Sequence, residues 1–157
     1  MSEDEKWMRL ALSEAEAALV ENEVPVGCVI VKNGSVIGRG HNRVEALKDP
    51  TAHAEILALT AAATTLNNWR LSGVTVYVTL EPCLMCTGAL ILSRVDRVVF
   101  GARDPKFGCL GSQYNIAQDN RFNHRLQVNG DVLAAESAEL LRRFFSEKRE
   151  EAAGRKG

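Results

Sequence analysis

The features that mark specialised protein classes are scarce in this chain of 157 residues. With only four cysteines, four prolines and 12 glycines, it cannot be a disulfide scaffold, a collagen-like repeat or a Pro/Gly-rich disordered chain. No apolar run approaches the ~18 residues that span a bilayer. The opening stretch, Met1 to Lys6, is acidic and does not lead into an apolar segment as a secretory signal does. Neither sign of charge dominates, since 19 Lys plus Arg face 20 Asp plus Glu for a net charge of -1, which argues against a general nucleic-acid coat.

At 46% hydrophobic, the sequence has enough apolar residues for one core, and a chain of this length buries roughly two thirds of its surface. A single domain over residues 1–157 is expected, in the cytoplasm and away from membranes, with the tail after about residue 150 frayed. The charge is unevenly placed. Residues 1–23 carry seven acids and two bases, residues 24–141 eleven bases and ten acids, and residues 142–157 six bases and three acids. Any phosphate contact is therefore local, and the C-terminus is the first place to look for it.

Trp7, Leu10, Ala11, Ala15, Ala18 and Leu19 recur on one helical face, so the spacing predicts a helix over about residues 4–21, ended by Pro25. Val26 to Val31, then Asn33-Gly34, then Val36-Ile37 read as two strands joined by a tight turn. Ala52 to Leu66 is a second helix closed by Asn67-Asn68, and Val74 to Leu80 a third strand. Pro82 is expected to open a third helix through about Ser93, followed by a strand over Arg97 to Gly101. Residues 102–122 have no clean period, and a loop that long is usually functional or mobile. Arg125 to Val128 is a candidate fifth strand. Asp131 is expected to cap a last helix, striped by Leu133, Leu141, Phe144 and Phe145 and running to about Arg149. Strands alternating with helices favour an α/β layer fold, and the hairpin makes its sheet mixed.

Cys28, Cys83, Cys86 and Cys109 read as thiols or metal ligands. Cys83 and Cys86 stand three apart at a helix start, where their sulfurs share a face and the positive helix end favours thiolate. Alone the pair fits a redox couple, half of a structural zinc site or coincidence. His53-Ala54-Glu55, thirty residues earlier at the start of another helix, changes this. His53, Cys83 and Cys86 make three zinc ligands, one short of a closed structural site, and an open fourth position for water is how catalytic zinc is built. Glu55 would be the base beside that water. Residues two apart on a regular helix diverge by about 200°, so His53 is expected in an irregular first turn.

The combination of His53-Ala54-Glu55 with Pro82-Cys83-Leu84-Met85-Cys86 is similar to the signature of the zinc deaminases. Its flanks narrow the resemblance. Val24-Pro25-Val26-Gly27, Gly40-His41-Asn42, Asp49-Pro50-Thr51, Leu80-Glu81, Asp104-Pro105-Lys106, Asn123-His124-Arg125 and the closing Phe144-Phe145 with Arg149 together resemble the bacterial tRNA adenosine deaminases, over nearly the whole chain. That resemblance implies a three-layer α/β/α cytidine-deaminase-like fold with a mixed sheet of about five strands, and one zinc ion per subunit held by His53, Cys83 and Cys86. It implies Glu55 as proton shuttle and adenosine at the wobble position of an anticodon as substrate, deaminated to inosine by zinc-activated water. It further implies that Asn42 hydrogen-bonds the flipped base, that Val26 and Ala54 line its pocket, and that Asp104, Lys106, Asn123, His124, Phe145 and Arg149 contact the tRNA anticodon stem-loop. A homodimer is implied in which both subunits build the RNA site.

Cys28, Cys109 and the bulky Phe107-Gly108-Cys109-Leu110 depart from the family's usual small residues. Rival readings are a guanine or cytosine deaminase, a thiol redox protein and an RNA-binding subunit with structural zinc. Asn123-His124-Arg125 and the basic final helix count against the first, and the intact His53-Ala54-Glu55 counts against the others.

Overall fold

The computed structural model describes residues 1–156. Its first helix, α1 (Glu3–Val20), opens at an N-cap Ser2 whose hydroxyl accepts from the Glu5 amide, with Glu3, Asp4 and Glu5 in the first turn favoured by the helix dipole. Strands β1 (Gly27–Lys32) and β2 (Ser35–His41) are joined by Asn33-Gly34, both at positive φ, as a two-residue hairpin turn requires. Next come α2 (Val44–Leu47), α3 (Ala54–Leu66), β3 (Thr75–Leu80), α4 (Leu84–Leu92), β4 (Arg97–Ala102), β5 (Gln127–Asn129) and α5 (Ala134–Lys156).

The five strands form one mixed sheet in the order β2-β1-β3-β4-β5, antiparallel between β2, β1 and β3 and parallel from β3 to β5. Strand alternation sends Cys28, Ile30, Val76, Val78, Val98 and Phe100 to a core shared with α3 and α4. The opposite face sends Val29, Val31, Tyr77 and Val99 against α1, with α5 alongside. Both faces are covered, giving the expected α/β/α layers. Gly38 and Gly40 let α3 lie directly on β2, since a Cβ at Gly38 would come within 2.5 Å of the Ala58 carbonyl oxygen. That close approach fixes where the N-terminus of α3 falls.

Several boundaries differ from expectation, each for a local reason. Pro82 does not open a helix. Its carbonyl accepts from the Cys109 amide, the chain stays extended through Cys83, and α4 begins at Leu84. Helix α3 starts at Ala54 because His53 is extended. Asp131 does not cap α5. It sits at φ 66 and pairs with Arg103, while the neighbouring Val132 amide bonds the Phe100 carbonyl and holds this stretch to the sheet. Helix α5 continues beyond Arg149 to Lys156, and Phe145 is 47% exposed, so along the helix the stripe comprises Leu140, Leu141 and Phe144. The 102–122 segment is no open loop. Leu110 and Ala117 are buried in the core, and a short 3-10 turn forms at Ile116–Gln118.

Candidate active site

The site lies where β3 ends and two helices begin. His53 is the N-cap residue of α3 and Cys83 that of α4, both with extended backbone, and Cys86 follows in the first turn of α4. The His53 Nδ1 atom is 3.6 Å from Cys83 Sγ and 3.5 Å from Cys86 Sγ, and the three ligand atoms all lie within 4.8 Å of one another. A hydrogen bond from Cys86 and another with His53 hold the Cys83 thiol down to about 4, whereas the same Cys86–Cys83 contact together with burial pushes Cys86 up. A Cys2His donor set that converges from two helix starts fits a divalent zinc ion with a fourth position left for a small ligand. Among the described residues this is the one such cluster of His, Cys, Asp and Glu side chains.

Glu55, in the first turn of α3, is 4% exposed, and burial pushes its carboxyl up to about 6. It joins His53, Cys83, Ala54, Val26 and Asn42 in lining a cavity of about 420 Å³, within the range of small-molecule sites. Leu80, Glu81, Asp104, Phe107 and Val24 complete the lining. The Asn42 amide is half engaged: Nδ2 donates to the Val24 carbonyl and Oδ1 accepts from the Val44 amide, each at 3.3 Å. One N–H and one lone pair remain for a ligand.

The outer residues are dispersed. Lys106 lines an adjoining cleft with Cys83, Phe107, Cys109 and Tyr114. Asp104 serves a turn as well as the cavity, accepting from the Lys106 and Phe107 amides through Oδ1. Asn123 accepts from the Arg94 guanidinium at 3.0 Å, and the His124 ring donates to the Val95 carbonyl. Phe145 packs edge-on against Phe144, and Arg149 is exposed on α5. Asn123, His124, Phe145 and Arg149 are not among the residues lining either cavity.

Sequence reasoning passed over Glu81, Phe107 and Val24 as lining residues. For Glu81 a signal was available: a carboxylate at the end of an apolar strand is rarely buried without a purpose, and this one is 2% exposed. Cys28 is fully buried in the core, and burial drives its thiol well above the ordinary range, so it packs as a small apolar residue.

A mixed sheet carrying such a cluster at its helix starts defines a metal-dependent hydrolytic site. Residues 1–102 match the model of the cytidine and deoxycytidylate deaminase zinc-binding region, and the chain belongs to that family. Within it, the chain is 50% identical over 149 residues to a tRNA-specific adenosine deaminase of Bacillus subtilis, covering 95% of this chain and 92% of that one. Its fold is similar, at a TM-score of 0.84 and 43% identity, to a structure solved in studies of A-to-I editing by tRNA deaminases at the wobble position, covering 87% of this chain and 99% of that one. A guanine deaminase from Nitrosomonas europaea is also similar, at a TM-score of 0.77 and 27% identity, covering 92% and 85%.

Proposed function

We infer that this protein hydrolytically deaminates adenosine to inosine at the wobble position of a tRNA anticodon. The observation that carries the reading is the shared cavity: His53 and Cys83 of the donor set and the buried Glu55 line one space of about 420 Å³, and Cys86 joins the set beside it. The similarity at 50% identity to a tRNA-specific adenosine deaminase selects the substrate.

His53, Cys83 and Cys86 would hold one zinc ion per subunit, and when bound that ion supplies the Lewis acidity that makes water nucleophilic at neutral pH. Glu55 takes one proton from the attacking water and delivers it to N1 of the adenine as the C6–O bond forms, then carries the remaining hydroxyl proton to the exocyclic amine as the C6–N bond breaks and ammonia leaves. Its raised carboxyl, near 6, lies close enough to neutrality to accept and release a proton. Asn42 orients the base through its free N–H and lone pair, while Val26 and Ala54 pack on the ring. An anticodon loop is already partly unstacked, which lowers the cost of bringing its base into the cavity.

Asp104, Lys106, Asn123, His124, Phe145 and Arg149 are proposed to hold the rest of the loop, by stacking and by contacts to ribose and phosphate. Exposed Phe145 and Lys106 have the chemistry for this. A homodimer in the cytoplasm is part of the same reading; exposed Leu84 and Leu92 on α4 leave an apolar face for a second copy. Among the described residues no helix is long and apolar enough to cross a membrane.

Incubating the zinc-loaded protein with an anticodon stem-loop containing adenosine, followed by mass spectrometry of the digested nucleosides, should detect inosine. Inosine from the wild type but not from Glu55→Ala supports the reading. An inert wild type that releases ammonia from guanine would replace it with the small-molecule alternative.

A further inference from the structure

Glu81 has no place in the proton chemistry, yet it is among the most buried charged groups of the chain. Its Oε1 accepts from the Asp104 amide at 3.1 Å and from the Ser112 hydroxyl, and its Oε2 accepts from the Leu110 and Ser112 amides, each at 3.0 Å. Two donors per oxygen use the full accepting capacity of a carboxylate. Gly108 closes over the carboxylate: a Cβ there would lie 2.3 Å from Glu81 Cδ and 2.6 Å from the Asp104 carbonyl oxygen.

We propose that Glu81 is a positioning residue for the reaction, fixing the 104–112 segment as the outer wall of the substrate cavity. The relay is short. Glu81 holds the Asp104 amide, the Asp104 carboxylate holds the Lys106 and Phe107 amides, and Asp104 and Phe107 then line the cavity with Lys106 beside it. Glu81 also stands two residues before Cys83, and the Cys109 amide bonds the intervening Pro82 carbonyl. The wall and the zinc cluster therefore share one anchor at the end of β3. For the reaction served, the inference rests on the deaminase reading; for the wall itself it rests on geometry.

Glutamine has the same shape but one acceptor oxygen and an NH2 that would face N–H donors. Glu81→Gln should therefore release the segment, and Gly108→Ala should do so independently by steric displacement. In the zinc-loaded proteins, amide exchange at Asp104, Leu110 and Ser112 should rise by about tenfold or more, with Tyr77 and Val78 of β3 unchanged. On the stem-loop, KM should rise about tenfold while the saturating rate stays within about threefold and zinc content holds. Wild-type exchange at those three amides in both variants would overturn the proposal. So would an equal rise in β3, which marks a general loss of stability, or a loosened segment with wild-type KM. A wild type inert on the stem-loop would overturn the deaminase reading instead, and the exchange comparison would still decide whether Glu81 holds the wall.

Discussion

His53 and Glu55 stand two positions apart in sequence, and both line the same cavity because one caps α3 and the other lies in its first turn. On a continuous helix they would point about 200° apart. The extended backbone of His53, at φ -74 and ψ 155, removes that conflict and aims the imidazole at the cysteines while Glu55 enters from the first turn. Ligand and proton carrier are thus set by one helix start.

This separation of roles is measurable. Glu55→Gln should cut turnover by about 10²-fold or more, the range for losing a general acid–base group, while zinc stoichiometry by atomic emission stays at the wild-type value. Full turnover with zinc bound would remove Glu55 from the mechanism.

His53→Ala and Cys86→Ser should instead lose the metal. Each deletes one of three converging donors. Zinc content after dialysis against a mild chelator should fall well below that of the wild type, with activity falling in proportion.

Phe144 and Phe145 are adjacent but differ in burial, at 7% and 47% exposed. Phe144→Ala should cost about 3 kcal/mol in chemical denaturation, as for other buried phenylalanines. Phe145→Ala should change stability by less than about 0.5 kcal/mol and weaken stem-loop binding by roughly 1–3 kcal/mol if it stacks on a base. Equal stability losses would contradict the placement of α5.

The Asp4 carboxylate ties α1 to the sheet. It accepts from both Arg97 Nη1 and Nη2, at 2.9 and 2.6 Å, and from the Tyr77 hydroxyl at 3.0 Å. The Arg97 hydrogen bonds, partly opposed by burial, lower its pKa. A group depressed in the folded state stabilises above its unfolded value, about 3.9 for Asp, and that contribution is lost as pH falls through the folded value. Asp4→Asn should therefore be less stable than wild type by about 1 kcal/mol near pH 6, and the gap should close on acidification below about pH 4. Urea midpoints across pH test this.

Gly38→Ala should act at a distance on the site. Its Cβ would meet backbone at 2.5 Å, so α3 must shift off β2. A loss of about 1–3 kcal/mol is expected from such overpacking, together with weaker zinc retention because His53 moves with the helix. Retained zinc affinity in a destabilised variant would show that the helix start is held independently.

By itself the sequence determined everything carried by short-range rules. Helical spacing from Trp7 to Ala18, the Asn33-Gly34 turn and the strand ending at Leu80 depend only on residues within a turn or two, and they appear where expected. The residue types His53, Glu55, Cys83 and Cys86 likewise specified a chemistry, because few side chains bind zinc or move protons. Tertiary structure decided what depends on partners far along the chain. Helix α4 starts after Pro82 because Cys109 claims that carbonyl, and Asp131 turns from cap to ion pair because Val132 is bound to Phe100. Glu81 became a buried anchor only when Asp104, Leu110 and Ser112 folded back onto it. A carboxylate's donors come from wherever the chain returns, and no local pattern records that return.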